Sequence, residues 1–179
     1  ANGVEYLDAS GNLHKQAARI VCLAGNSIES PRLLLLSASS LHPDGLANSS
    51  GQVGRNYMRH MTGSAYARFD KPVHMYRGET MAGIIADEAK LDTSRGFAGG
   101  YYLETLSLGP AFLAAFVEPG EWGRSFTEKL DAYRNTAGMW IVGEDMPQEG
   151  NRVTLSETKD RFGLAVANVN FSDHPNDVA

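Results

Sequence analysis

Cysteine is nearly absent from this 179-residue chain: Cys22 stands alone. No disulfide can close within the chain, and no cysteine-based zinc site can form. Charge of one sign is not concentrated either. Sixteen Lys and Arg lie scattered among 21 Asp and Glu, giving a net charge of −5. That argues against nucleic acid as a partner, because phosphate binding needs a clustered basic face. No apolar run approaches the roughly 20 residues of a membrane-crossing helix. His14, His42, His74 and His174 have no partner at metal-ligand spacing, so no metal site is expected. Gly-x-Gly-x-x-Gly is missing too, and with it the loop that grips a dinucleotide pyrophosphate. The 42% hydrophobic and 21% charged content is that of an ordered globular protein.

The most informative stretch runs from Arg19 to Ser37. Ile20 to Ala24 is an unbroken apolar run, the pattern of a strand buried on both faces of a parallel sheet. Cys22, inside it, is expected to be buried and inert. The run stops at Gly25. Ser30 offers a capping hydroxyl, Pro31 suits the first helical position, and Leu33 to Leu36 give the helix an apolar body. A strand, a glycine turn and a helix N-terminus make an anion-friendly edge in α/β proteins. Gly25-Asn26-Ser27-Ile28-Glu29 also approaches the Gly-x-Ser-x-Gly elbow of α/β-hydrolases. Glu29 replaces the last glycine of that elbow, which its tight turn requires.

Ala24-Gly25, then Ile28-Glu29-Ser30-Pro31-Arg32-Leu33-Leu34 and Ser37, followed after a polar loop by Val53-Gly54-Arg55-Asn56-Tyr57-Met58-Arg59-His60, resembles the glucose–methanol–choline (GMC) oxidoreductases. Tyr57 and Arg59 depart from that family's second motif. Asn26 and Ala38 stand where the first often has small residues or glycine. The resemblance implies FAD as cofactor in the complete enzyme, and oxidation of an alcohol, sugar or polyol. It also implies that these residues are an internal piece. The family's pyrophosphate loop and catalytic histidine are not in the chain, so no catalytic residue is assigned here. By the same resemblance, Ala24, Gly25, Asn26 and Ser30 would meet the FAD edge. His60 and Thr62 would lie by the substrate. The Met61-Thr62-Gly63 that follows lacks the acid of choline-oxidising relatives, which favours a neutral substrate.

The rest of the chain divides by pattern. Gly3–Asp8 and Leu13–Gln16 flank a turn-rich tetrad and read as a hairpin. Residues 39–54 form a polar loop, and Gln52–Arg59 suits a short helix. Beyond about residue 62, six short alternating segments appear: Ser64–Phe69, Met81–Ile85, Gly99–Leu103, Thr136–Val142, Arg152–Leu155 and Leu164–Phe171. They imply a mainly antiparallel sheet. Ser125–Arg134 is an amphipathic helix through Phe126, Leu130 and Tyr133, and Pro110–Val117 is a second helix. The fold class is therefore α+β: an antiparallel sheet backed by helices over residues 62–179, preceded over residues 1–61 by a strand–helix piece of an FAD-binding α/β domain.

Other features have plainer readings. Glu144, Asp145 and Glu149 read as a solvated loop, with sugar contact the alternative. Of Tyr101 and Tyr102, and of Met139 and Trp140, alternation lets only one of each pair face a cavity. A stand-alone carbohydrate- or partner-binding domain without redox activity is the other functional reading. Oligomeric state is not legible, and a soluble protein of the cytoplasm or periplasm is expected.

Overall fold

The computed structural model describes residues 1–107, 109–116 and 119–178. Two compact units are built from interleaved stretches of chain. One takes Ala1–Tyr57 and Glu149–Phe171, the other Met58–Gln148 and Ser172–Ala179.

In the first unit, β1 (Gly3–Leu7) and β2 (Leu13–Ala17) form the expected antiparallel hairpin. Asp8 organises its turn, accepting hydrogen bonds from the backbone N–H groups of Ser10 and Asn12, each at 2.9 Å. Those bonds, led by the His14 ring 2.9 Å away, hold the Asp8 carboxyl down at about 2. Residues 20–24 correct the sequence reading: they form no strand. Ile20 is 81% exposed, Leu23 is exposed, and Cys22 is exposed rather than buried. A parallel strand needs ladder partners on its flanks, and the described residues offer none.

Helix α1 follows at Asn26–Leu36. It starts earlier than expected because Asn26, not Ser30, caps it. Asn26 adopts φ 79°, and its Oδ1 accepts the N–H groups of Ile28 and Glu29 at 2.8 and 2.9 Å. Asparagine tolerates this left-handed conformation better than most residues. Ser30 and Pro31 consequently lie inside the helix. Apolar residues on several faces leave the helix without a single buried side chain. Residues 52–59 make turns rather than a helix, since Gly54 and Asn56 both take positive φ. Strands β7 (Arg152–Lys159) and β8 (Ala165–Asn170) close this unit as a second antiparallel hairpin, packed against α1. A Cβ on Gly54 would strike the Val153 carbonyl oxygen, so the motif Val53-Gly54 lies hard against β7.

The second unit is the antiparallel sheet with its helices. Four strands take the order β3 (Met61–Arg68), β6 (Thr136–Gly143), β5 (Tyr101–Thr105), β4 (Ile84–Ile85). Helices α2 (Pro110–Phe116) and α3 (Gly123–Asp131) follow β5; the Val117 end of the expected second helix lies outside the described residues. Leu106 and Leu113 form the core, with Tyr66, Leu130, Tyr133 and Trp140 packed on it. The α+β class with antiparallel sheets is thus as read from the sequence. The hairpin β7–β8 does not join this sheet.

Candidate functional site

The second unit carries an open cavity of about 390 Å³ at one end of its sheet. Strand ends supply its floor: Met61, Thr62 and Gly63 from β3, Tyr101 from β5, Ile141 and Gly143 from β6. The loop before β5 adds Phe97, Ala98 and Gly100, and the residue after β6 adds Glu144. Register explains the grouping. Met61, Gly143 and Tyr101 are cross-strand neighbours in one row, and Gly63 and Ile141 share the next row on that face. Tyr101 therefore turns to the cavity and Tyr102 to the opposite face. Trp140 packs on the core.

A strap of chain closes the remaining wall with Asn176 and Asp177. It is fastened at several points. The Asn176 amide accepts the Ala98 N–H at 2.6 Å and donates to the Ala98 carbonyl at 3.0 Å. Asp177 accepts the Met146 N–H at 3.0 Å and the Asn176 amide at 3.1 Å. The Arg59 guanidinium reaches Asp173 at 3.2 Å.

Asp145 is 9% exposed, which corrects the reading of its loop as solvated. Its Oδ2 accepts the Arg59 N–H at 2.7 Å, while Oδ1 is buried with no hydrogen-bond partner. This pins the start of β3 to the end of β6. Glu144, its neighbour, is exposed and faces the cavity. Sequence reasoning singled out this acidic pair but had no signal to separate their fates. The burial of Asp145 comes from the strand end it closes, not from local pattern.

Of the expected substrate residues, Thr62 borders the cavity, but it shares a row with Val142 and Tyr102, so its side chain turns to the opposite face of the sheet. His60, two positions earlier, is exposed and is not among the lining residues. The expected cofactor residues belong to the first unit. There the Ser30 hydroxyl lies 2.9 Å from the Gly25 N–H and accepts from it. Ala24 and Asn26 are exposed beside it.

An FAD edge fits this turn in one respect. A Cβ added to Gly25, at φ −89°, would meet only Glu29 and Ser30 at an ordinary 3.5 Å. A side chain there would be tolerated by the protein's own atoms, so a glycine is not required by the turn itself. The turn cannot hold a pyrophosphate unaided, because Asn26 and Ser30 already accept three of its N–H groups. Among the described residues no cluster of three or more His, Cys, Asp or Glu could hold a metal ion. No described helix is long and apolar enough to cross a membrane.

No family model matches the chain. It is 38% identical to 2-methyl-1,2-propanediol dehydrogenase of Mycolicibacterium austroafricanum, over 100% of this chain and 34% of that protein. It is 29% identical to the fructose dehydrogenase large subunit of Gluconobacter japonicus, over 94% of the chain and 31% of the relative. It is 28% identical to paromamine 6'-oxidase of Streptomyces fradiae, over 98% and 31%. The chain spans about a third of the length of these curated relatives.

Proposed function

The chain belongs to the GMC-type oxidoreductases, and we propose that it supplies the substrate-side wall of an FAD-dependent enzyme oxidising a CH–OH group. Its substrate would be a small alcohol, sugar or polyol. The observation that carries this is the match to a diol dehydrogenase along the whole chain, at 38% identity. The cavity of the second unit agrees with it, being polar at Asn176 and Glu144 and apolar at Met61, Phe97 and Ile141. Such a mixture orients a small hydroxylated molecule while keeping bulk water from its carbon skeleton.

The chain's residues divide the work. The turn at Gly25, with Ala24, Asn26 and Ser30, would lie along the cofactor edge, where the absent side chain permits close approach. Thr62 would border the substrate through its backbone. Asp145 would keep the start of β3, which follows His60, in register. When bound, the flavin would take the hydride from the substrate carbon. The base that accepts the hydroxyl proton is not assigned to these residues.

The test is made on the full-length polypeptide that carries this stretch. Purified protein should show flavin absorbance near 450 nm and oxidise small alcohols or sugars with an artificial electron acceptor. Ile141→Ala should raise KM and leave flavin content unchanged. A preparation that folds yet neither binds flavin nor oxidises any alcohol would overturn the reading.

A further inference from the structure

Among the described residues, no partner binds the Glu144 carboxylate, which lines the cavity. Asp177, the other acid on the wall, has each oxygen engaged, by the Met146 N–H and by the Asn176 amide. Among the described residues the Glu144 side chain has no hydrogen bond and no ion pair, and only its backbone N–H is used, donated to Gly100. Yet the fold makes room for it. Gly99 has φ 85°, and a Cβ there would come within 2.9 Å of Glu144 Oε2. The positive φ is what calls for glycine here, and the missing Cβ leaves the Glu144 carboxylate beside it undisturbed.

A free carboxylate invites either a cation or a pair of hydroxyls. The cavity's aromatic rings discriminate between them. The Arg95 guanidinium lies over Phe97, 4.9 Å from the ring centroid, and 5.9 Å from that of Tyr101. Both rings line the cavity. The cation–π faces that an ammonium would need are already served by a cation. Glu88 partners Arg95 at 2.7 Å on its other side, and the guanidinium is largely buried. An ammonium would have to share those rings with the guanidinium, whereas a neutral ligand does not. Two hydroxyls on adjacent carbons can each donate to one oxygen of a carboxylate, with the carbons against Met61 and Ile141.

Resting on the functional reading above, we propose that Glu144 is a specificity-determining residue. It receives the two hydroxyls of a neutral vicinal diol and so sets the preference of the site for 1,2-diols over mono-alcohols and amino alcohols.

The experiment compares kcat/KM of the full-length holoenzyme for 1,2-propanediol, 1-propanol and 1-amino-2-propanol. Glu144→Gln and Glu144→Leu are set beside the parent. Glu144 is solvent-facing, and thermal melts check that the variants fold. The diol-to-mono-alcohol ratio should fall about tenfold in Glu144→Leu and less in Glu144→Gln, as loss of charge-assisted hydrogen bonds requires. The change should sit in the diol alone. Gly99→Ala should lower the same ratio by displacing the carboxylate, with no further loss in the double variant with Glu144→Leu. An unchanged ratio in an enzyme that oxidises alcohols would overturn the role of Glu144 and leave the functional reading standing. A parent enzyme that prefers the amino alcohol would overturn the neutral diol. A flavin-loaded enzyme that oxidises none of the three, nor any other alcohol or sugar, would overturn both readings.

Discussion

Arg32 and Asp160 close on one another at 2.7 Å between Nη2 and Oδ2, fastening helix α1 to the turn of the β7–β8 hairpin. The same guanidinium holds Glu29 at 2.9 Å and donates through Nε to the Ala165 carbonyl at 2.8 Å. Its side chain is only 14% exposed. One residue of the first sequence motif therefore organises a hairpin more than a hundred positions later.

The first prediction follows from that pair. The Arg32 bond, with the N–H groups of Leu164 and Phe162, holds the Asp160 carboxyl below its ordinary value. A depressed carboxylate pKa contributes stability above the unfolded value of about 3.9, and loses it as pH falls through the folded value. Asp160→Asn should lower the unfolding midpoint at pH 7. The gap to the parent should close as pH drops below about 4. A gap that is constant from pH 7 to pH 3 would show that the ion pair contributes nothing.

Gly25→Val separates local from ligand effects. The backbone at Gly25 is not strained, and a Cβ meets only ordinary contacts. The substitution should leave the melting curve nearly unchanged. It should deplete flavin in the full-length enzyme, read as 450-nm absorbance per protein. Normal flavin occupancy in a folded variant would remove this turn from the cofactor edge.

Gly138 sits directly opposite Tyr66, whose ring lies where a Cβ would be. Gly138→Ala must push that ring off the core around Leu106 and Leu113. A loss of about 1–3 kcal/mol is expected from such overpacking, measured by urea unfolding. Gly63→Ala, in open space on β3, should cost far less.

Asp145→Ala removes the acceptor of the part-buried Arg59 N–H. The expected cost is about 1–3 kcal/mol. Asp145→Asn keeps an acceptor and should recover most of it. In the full-length enzyme the alanine variant should also lose kcat, because the start of β3, which follows His60, is no longer pinned. Equal stability of the two variants would show that the bond to Arg59 is not what matters.

Short alternating segments bounded by turn residues made the antiparallel strands legible. All six expected segments became strands, from β3 to β8. The failures lie where the signal depends on absent neighbours. Ile20–Ala24 has the composition of a buried strand, but composition cannot supply a ladder partner. The helix start was misplaced because Ser30-Pro31 is a familiar cap pattern. Asn26, able to take φ 79°, captured the free N–H groups four residues sooner. Thr62 was found at the cavity through resemblance alone. Tyr101 was weighed as an either–or with Tyr102, and only the register with Gly143 decides between them. Gly99 was read as the start of a strand, because the sequence does not show its φ of 85° or the side chain 45 positions away that it lies beside.

The interleaving of the two units bears on how this protein can be cut. The chain passes between them at 57/58, 148/149 and 171/172. A boundary drawn once, at residue 61, separates β7 and β8 from the helix they pack on. A clone of residues 1–61 would carry Arg32 without Asp160, and Gly54 with no strand beside it. Limited proteolysis at the loop around residue 149 would leave both halves still attached through their partners, so a nicked preparation should run as one species until denaturant is added. For this protein, dissection into pieces must follow the packing and not the order of the residues.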